Sequence, residues 1–310
     1  MKSNILIIGT GFIAETFAKL FNNQNNEISI AFNSHKMEDT PGINQYPLSL
    51  GINIILDKVS PDYIIFLHGR SVIVENNSFS DTCNENFIRI SNILEDIIKH
   101  SFSKKIKKIL IVGSASEYGN SYHTAIKEDF ELKPTTIYGL SKSILYRIAS
   151  YYIALDSLPI IYIRQFNVAG FGQRTDFAIS SFSKQIALIE KGSADPVMEV
   201  GNVNHERDFI DVRDVCSAYK LLLDKGGVGE IYNIGSGNFI SIKKVIEIAL
   251  SLSKEGENIL IKSNPNKFSH DFVLSTKLFA DVTKISKLGF KPRFSITETI
   301  NESLDYWRKS

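Results

Sequence analysis

The sequence has few cysteines, no long apolar run and no excess of charge of either sign. Two cysteines, Cys83 and Cys216, occur in 310 residues without the spacing of metal ligands. We therefore expect reduced thiols, a cytoplasmic setting and no metal site. No segment reaches the roughly 18 apolar residues of a membrane span, and the run 5–8 is too short for a signal peptide. The net charge of +1 predicts no nucleic-acid partner and no membrane partner.

The chain is longer than one typical compact domain. At about 150 residues per domain, its length suggests two domains. Hydrophobic residues make up 43% of the chain and charged residues 22%. This composition is typical of globular proteins and excludes a disordered or fibrous chain.

The first 32 residues have the pattern of one βαβ unit. The apolar run Ile5–Ile8 predicts a strand buried on both faces of a parallel sheet. Apolar residues at helical spacing then predict a helix over Phe12–Asn22, and Ile28–Phe32 predicts a second strand. A strand, a helix and a strand within about 30 residues form one βαβ unit.

The alternation of strands and helices continues along the chain. Further strands are predicted at Tyr63–Leu67, Ile109–Val112, Ile160–Ile163 and Ile231–Ile234, and helices at Phe87–His100, Ser141–Leu155, Ile179–Lys191, Val215–Leu223, Ile242–Leu252 and Ile296–Tyr306. The predicted fold class is α/β, with a Rossmann-type doubly wound parallel sheet and a smaller C-terminal α/β substrate lobe.

The domain boundaries follow a change in composition after residue 167, where loops with Gly, Pro and Asn become frequent. We predict a dinucleotide-binding Rossmann domain over 1–167, with late elements contributed by 205–237. Residues 168–204 and 238–310 form the predicted substrate-binding lobe.

A glycine-rich turn joins the first strand to the first helix. Gly9, Gly11 and Ala14 match the pattern G-x-G-x-x-G/A in the position that a dinucleotide site requires. Glycines allow a tight turn close to a pyrophosphate, and the helix N-terminus supplies N–H donors. The alternative is an ordinary glycine turn between a strand and a helix.

The end of the second strand bears on the choice of cofactor. NAD sites usually have a carboxylate there for the ribose 2′-hydroxyl. Here Asn33, Ser34 and Lys36 occupy the segment, and no carboxylate appears before Glu38. Hydroxyl and ammonium donors suit a 2′-phosphate, so the sequence favours NADP(H), with NAD(H) as the alternative. These residues are also compatible with an ordinary loop.

Tyr138 and Lys142 are four residues apart at the start of a predicted helix, and so lie on one face. A free phenol has a pKa of about 10, and a neighbouring ammonium should lower it toward the range useful for proton transfer. Ser114 follows the strand Ile109–Val112, at the carboxyl edge of the sheet where ligands bind. The alternative for the pair is a solvated helix face.

Taken in order, several segments of the chain resemble one family. They are Pro61–Gly69, Asn86 with Asn92–Glu95, Ser114–Gly119, Tyr138–Lys142, Arg164–Gly170, Arg207–Val215, Tyr232–Gly237 and Leu288–Pro292. On these segments the chain is identified as a member of the extended short-chain dehydrogenase/reductase family, in its nucleotide-sugar epimerase, dehydratase and reductase branch.

The resemblance implies roles for named residues. Tyr138 would be the acid/base, Lys142 would hold the nicotinamide ribose and tune Tyr138, and Ser114 would hydrogen-bond the reacting oxygen. The implied cofactor-binding residues are Gly9, Gly11, Phe12, Ile13, Asn33, Ser34, Lys36, Leu67, His68, Gly69, Asn86, Val112, Tyr138, Lys142 and Phe166. The implied substrate-binding residues are Ser116, Tyr118, Asn167, Gln173 and Arg207, with Asn167 and Arg207 on the diphosphate. A salt bridge from Arg207 to Asp208 or Asp211 is the alternative for that arginine.

Departures from the family pattern narrow the activity. Dehydratases carry an acid pair after the hydroxyl residue, and here Ala115 and Ser116 occupy those positions. Glu117 comes one residue later, and on an extended segment that offset turns it to the other face. Lys267–Asp271 stands where relatives have Arg-Pro. The residue that would contact the nucleotide base is therefore not identified, and the sequence does not predict which base is bound. A 4,6-dehydratase is therefore disfavoured.

The predicted function is NADPH-dependent reduction of a nucleotide 4-keto-6-deoxy sugar at C4, in polysaccharide precursor synthesis. The alternatives are an NAD-dependent nucleotide-sugar 4-epimerase and, less favoured, a dehydratase or a non-catalytic nucleotide-sensing protein. The expected partners are a small-molecule nucleotide sugar and a second copy of the chain in a homodimer.

Overall fold

The computed structural model describes residues 2–33, 35–69, 78–100, 102–119, 124–155, 157–264 and 277–310. Ser34 and the segment Lys267–Asp271 lie outside the described residues. The strands are β1 (Ser3–Ile8), β2 (Asn26–Phe32), β3 (Asn44–Pro47), β4 (Tyr63–Phe66), β5 (Lys108–Val112), β6 (Ile160–Gln165), β7 (Asn167–Ala169), β8 (Val197–Val200), β9 (Glu206–Arg207), β10 (Phe209–Asp211), β11 (Ile231–Ile234), β12 (Ile240–Ser241), β13 (Leu260–Ser263) and β14 (Lys277–Leu278).

Seven of these strands form the main sheet of the described chain, in the order β3-β2-β1-β4-β5-β6-β11. Every neighbouring pair is parallel. In the interior strand β1, Ile7 pairs with Ile30 on one side and Ile65 on the other, and all three are fully buried. The apolar run is continuous because both faces of this strand are covered. The predicted doubly wound parallel sheet is confirmed, and Ile231–Ile234 does join it.

Helices cover both faces of the main sheet. The described helices are α1 (Phe12–Phe21), α2 (Ile52–Val59), α3 (Phe79–Cys83), α4 (Arg89–Lys99), α5 (Ile137–Ala154), α6 (Ala178–Glu190), α7 (Val212–Lys225), α8 (Ile242–Ser251), α9 (Thr283–Ser286) and α10 (Ile296–Lys309). One buried apolar cluster holds side chains of α1, α7 and α9, and the cluster on the opposite face holds those of α2, α4 and α5. None of the described helices is long and apolar enough to cross a membrane.

A third apolar cluster lies away from the main sheet. Its buried side chains come from α6, α8 and α10 and from Met198 and Val200 of β8. The strands near it are short and form small sheets, namely β7 with β10, β8 with β13, and β9 between β12 and β14. The proposed division into two domains remains a prediction.

Three local features differ from the sequence-based expectations. The edge strand β3 was not predicted because Asn44-Gln45-Tyr46-Pro47 has no apolar run, and a proline is tolerated only at such an edge. Helix α5 begins one turn earlier than expected, because the hydroxyl of Thr136 caps it by accepting from the Gly139 N–H. A π-helical turn, Asn84–Ile88, joins α3 to α4.

The expectation of an extended segment after Ser114 is wrong. Residues Ala115–Tyr118 form a 3₁₀ turn. Ser114 and Glu117 make a capping box, in which the serine hydroxyl accepts from the Ser116 N–H and the glutamate accepts from the Ser114 N–H. These reciprocal bonds stabilise a tight turn over the first residues after the strand.

Candidate active site at the carboxyl edge of the sheet

The glycine-rich turn after β1 has the geometry of a phosphate-binding loop. Gly9 has a φ of +122°, and a Cβ there would lie 2.9 Å from the backbone nitrogen of His68, so only glycine fits. Gly11 is the N-cap residue of α1, and a Cβ there would meet nothing within 4 Å. Phe12 and Ile13 open the helix, so the first-turn N–H groups lie beside open space. The residues present fit a dinucleotide pyrophosphate.

The segment after β4 lies against this turn and against α5. His68 Nε2 is 2.6 Å from Glu85 Oε2, and burial lowers the pKa of His68, although Glu85 opposes that shift. A Cβ on Gly69 would lie 2.9 Å from Asn86 Oδ1 and 3.4 Å from Lys142 Nζ. The structure therefore brings the predicted residues of this segment to the same place as Lys142.

The end of β2 is arranged differently from the expectation. Lys36, predicted to provide the cation for a 2′-phosphate, makes an exposed ion pair with Asp39 at 2.5 Å. The amide oxygen of Asn33 instead accepts from Arg89 Nη1 at 3.1 Å. The hydroxyl of Thr10 donates to the His35 carbonyl at 2.8 Å and ties this loop to the glycine-rich turn. Arg89 is a residue that sequence reasoning missed.

Ser114, Tyr138 and Lys142 come together as predicted at the carboxyl edge. The Ser114 hydroxyl lies close enough to the Tyr138 phenol to influence its pKa. Lys142 Nζ donates to the Val112 carbonyl at 3.0 Å and lies 5.9 Å from the centre of the Tyr138 ring. A phenol, a hydroxyl and an ammonium therefore converge at one position, as a proton transfer to or from a carbonyl oxygen requires.

A chain of hydrogen bonds holds the turn of α5 that carries Tyr138. The fully buried Asn86 donates through Nδ2 to the Ser141 hydroxyl at 2.9 Å, and that hydroxyl donates to the Tyr138 carbonyl at 2.7 Å. Asn86 was predicted to contact the cofactor. In the structure its amide nitrogen orients the turn of α5 that carries Tyr138.

Burial is the main influence on the pKa values of Tyr138 and Lys142. It raises the pKa of Tyr138 to about 12, although the hydrogen bond with Ser114 opposes the shift. It lowers the pKa of Lys142 to about 8, although Glu117 opposes that shift. The expectation that Lys142 lowers the pKa of Tyr138 is wrong here, because the ammonium bonds a carbonyl and desolvation of the phenol is the larger effect.

Behind Ser114 lies a buried ionic cluster. Glu117 accepts from Arg164 Nε at 3.0 Å and from the Tyr162 hydroxyl at 2.9 Å, and its side chain is fully buried. The Arg164 guanidinium lies 4.9 Å from the Tyr118 ring centre and 4.6 Å from that of Tyr146. Glu117 therefore faces the core, so a carboxylate does not reach the site from this position.

The prediction that Tyr118 binds substrate is contradicted by its burial. Its side chain has no exposed surface, and its hydroxyl donates to Asn233 Oδ1 at 2.8 Å and accepts from Arg164. It was misplaced because the 3₁₀ turn rotates its ring into the core. Ser116, on the same turn, is half-buried.

The predicted diphosphate contacts lie in the short strands beyond β6. Asn167 begins β7, which pairs in parallel with β10, and Arg207 lies in β9 between β12 and β14. The Asp208 carboxylate accepts from the N–H groups of Ser236, Gly237 and Ala280. It is therefore occupied by donors other than Arg207.

Asp211, the second carboxylate considered for Arg207, accepts from Arg213 and from the Thr299 hydroxyl. Both acids named in that alternative thus have other partners. Gln173, also predicted to bind substrate, is buried and donates through Nε2 to the Val168 carbonyl at 2.8 Å. This contact braces the loop that follows β7.

Two signals in the sequence were available for the residues that were missed. The pattern Ser114-x-x-Glu117 is that of a capping box, which predicts that the glutamate turns back onto the serine backbone. Glu85 and Arg89 have the i, i+4 spacing of a helical ion pair, and they are 2.9 Å apart. Neither pattern indicates the distant partners, Arg164 and Asn33.

Comparisons with known proteins agree with this geometry. The sequence model of the family described as GDP-mannose 4,6 dehydratase matches residues 9–303. The GDP-6-deoxy-D-mannose reductase of Pseudomonas aeruginosa is 28% identical over 253 residues, 80% of each chain. The GDP-6-deoxy-D-talose 4-dehydrogenase of Aggregatibacter actinomycetemcomitans is 27% identical over 254 residues, 82% of each chain.

A solved structure, that of RMD from Pseudomonas aeruginosa complexed with NADPH, has the same fold, with a TM-score of 0.81 and 23% identity over 99% of this chain and 100% of that chain. The match of the family's sequence model to residues 9–303 covers nearly the whole chain and establishes the family to which it belongs. The chain belongs to the GDP-mannose 4,6 dehydratase family, within the nucleotide-sugar branch of the extended short-chain dehydrogenases/reductases.

Proposed function

We propose that the protein is an NADPH-dependent reductase that converts a nucleotide 4-keto-6-deoxy sugar into the 4-hydroxy sugar. The observation that carries this proposal is the convergence of Tyr138, Ser114 and Lys142 at the sheet edge, where Lys142 Nζ lies 5.9 Å from the centre of the Tyr138 ring and donates to the Val112 carbonyl. NADPH, when bound, supplies the hydride that reaches sugar C4. The residues of the chain supply the proton and hold the sugar and the cofactor in position.

Tyr138 gives the proton to the sugar C4 oxygen as that oxygen gains negative charge. A pKa of about 12 means that the phenol is protonated at neutral pH, which is the form that a reduction needs. The Ser114 hydroxyl donates to the same oxygen and stabilises the developing charge. Lys142, which lies near Gly69 and the Tyr138 ring, holds the nicotinamide ribose and replenishes the proton.

The lack of acidic residues directly after Ser114 favours reduction over dehydration. Elimination across C5–C6 needs an acid and a base beside the hydroxyl residue, where this chain has Ala115 and Ser116. Glu117 is bound to Arg164 and Tyr162 on the core side of the turn and does not supply that group. The similarity to GDP-6-deoxy-D-mannose reductase supports the same class of reaction and a GDP-sugar as the first substrate to test.

The remaining site assignments are proposed with the reaction. Asn167 and Arg207 bind the diphosphate, and a guanidinium suits phosphate oxygens. The Rossmann domain 1–167, completed by 205–237, holds the cofactor, and the lobe of 168–204 and 238–310 holds the sugar. We further propose that the protein is cytoplasmic and that it forms a homodimer. Light scattering of the purified protein tests the homodimer directly.

The deciding experiment incubates the protein with NADPH and with GDP-, dTDP-, UDP- and CDP-linked 4-keto-6-deoxy sugars. A reductase consumes one NADPH for each C4 hydroxyl formed, followed by absorbance and by NMR of the product. Interconversion of C4 epimers with no net cofactor consumption shows the epimerase instead. Binding without turnover shows the nucleotide sensor, and Tyr138→Phe is the inactive control.

A further inference from the structure

Arg89 reaches the cofactor side of the sheet from the first turn of α4. Its Nη1 donates to Asn33 Oδ1 at 3.1 Å, and its Nη2 donates to Glu85 Oε1 at 2.9 Å. Asn33 is the first residue after β2, where NAD sites usually have a carboxylate against the adenosine ribose. The guanidinium is therefore held at the end of β2, the place in the fold that contacts the adenosine ribose in dinucleotide sites.

The guanidinium has donors to spare. It carries five N–H groups, and the two bonds named above use two of them. Its Nε is buried and has no hydrogen-bond partner among the residues that the structure describes, so the donors left for a ligand are the second N–H groups of Nη1 and Nη2. The side chain remains 34% exposed. It can thus bind an anion without first breaking the bonds that hold it.

A relay of hydrogen bonds fixes the position of Arg89. Glu85 bridges Arg89 and His68, the latter at 2.6 Å, so the guanidinium is linked to the segment after β4. The Thr10 hydroxyl fixes the loop after β2 from the other side by donating to the His35 carbonyl. Both anchors belong to the proposed cofactor site, so a ligand there meets an arginine that is already placed.

Lys36 is a poorer candidate for the same role. Its ammonium is half exposed and is paired with Asp39. The Asp39 carboxylate is itself exposed, so it can move with the ammonium and compete with a phosphate for it. A planar guanidinium also binds a phosphate through two parallel hydrogen bonds, which an ammonium cannot do.

We propose that Arg89 binds the 2′-phosphate of NADPH and thereby sets the preference for NADPH over NADH. Asn33 completes the site because its amide keeps a negative charge away from the phosphate and holds Arg89 through Oδ1. This inference rests on the proposed function, since it concerns the cofactor of that reaction.

The test measures equilibrium binding of four probes to the purified full chain by titration calorimetry. The probes are NADPH, NADH, adenosine 2′,5′-bisphosphate and 5′-AMP, and the variants are Arg89→Gln and Arg89→Lys. Arg89→Gln should weaken NADPH and the bisphosphate by at least about tenfold, the scale of one lost charge-assisted bond, with NADH and 5′-AMP within about twofold. Arg89→Lys should lie between wild type and Arg89→Gln.

Lys99→Gln is the matched control, because Lys99 makes an exposed i, i+4 ion pair with Glu95 on the same helix. It should change none of the four affinities. Equal weakening of NADPH and NADH by Arg89→Gln would overturn the inference, as would a preference that disappears only in Lys36→Ala. Failure of wild type to bind either dinucleotide would instead overturn the proposed function.

Discussion

Ser114 separates two groups of ionisable side chains that differ in what they can bind. On the site side, the Tyr138 phenol lies near the serine hydroxyl, and Lys142 lies one helical turn further along α5. On the core side, Glu117 takes the serine N–H and is bound by Arg164. Only the first group lies at the sheet edge where a ligand binds.

The difference shows how one residue can serve chemistry and stability separately. The Glu117 and Arg164 side chains are 0% and 2% exposed, and the pair is completed by the hydroxyls of Tyr162 and Tyr118. Buried charges are tolerated only when they are paired and hydrogen-bonded. The core side therefore holds the turn in place, and the site side remains available to a substrate.

The largest expected effect comes from removing one tyrosine hydroxyl on the site side and, separately, one on the core side. Tyr138→Phe should lower kcat by about 10²- to 10⁴-fold with an unchanged melting temperature, because it removes the proton donor. Tyr118→Phe should leave kcat nearly unchanged but lower the free energy of unfolding by about 1–3 kcal/mol. The reason is that it removes the hydroxyl that donates to Asn233 Oδ1. Steady-state kinetics and urea unfolding of both variants measure the contrast. Near-normal turnover of Tyr138→Phe would contradict it.

Breaking the buried ion pair should destabilise the protein strongly. Glu117→Ala leaves the Arg164 charge buried and unpaired, with an expected loss of about 3–5 kcal/mol in the free energy of unfolding. Lys284→Ala, which breaks an exposed pair with Glu230, should cost less than about 1 kcal/mol. Chemical denaturation compares the two, and similar losses would mean that burial does not distinguish these pairs.

Ser114→Ala tests the residue that both sides share. By analogy with a lost oxyanion donor, kcat should fall about 10²- to 10³-fold. Cofactor affinity should change little, and the free energy of unfolding should fall by about 0.5–2 kcal/mol, because the hydroxyl cap on the Ser116 N–H is lost while the bond from the Ser114 N–H to Glu117 survives. An unchanged kcat/KM would show that the hydroxyl does not reach the substrate.

The pH profile gives the smallest and most specific effect. Burial lowers the pKa of Lys142 to about 8, so its ammonium form is present below that pH and is lost above it. The rate of reduction should be level near pH 7 and fall as the pH rises through about 8. The Tyr138 phenol, with a pKa of about 12, stays protonated throughout. A rate that remains level or increases above pH 9 would contradict the assignment.

The sequence by itself determined the architecture and identified the three residues, Ser114, Tyr138 and Lys142, that meet at the candidate site. Continuous apolar runs such as Ile5–Ile8 require a sheet covered on both faces, and the glycines after them require a turn that other residues cannot make. Tyr138 and Lys142 were found because a four-residue spacing on a helix is local information. Ser114 was found because parallel strands end at one edge.

Tertiary structure decided the features that depend on residues distant in the chain. Arg89 meets Asn33 across 56 residues, and Arg164 meets Glu117 across 47. No local pattern encodes such partners, because they depend on how the strands and helices pack. The protonation of Tyr138 was decided in the same way, since desolvation depends on everything that surrounds the phenol and not on the lysine four residues away.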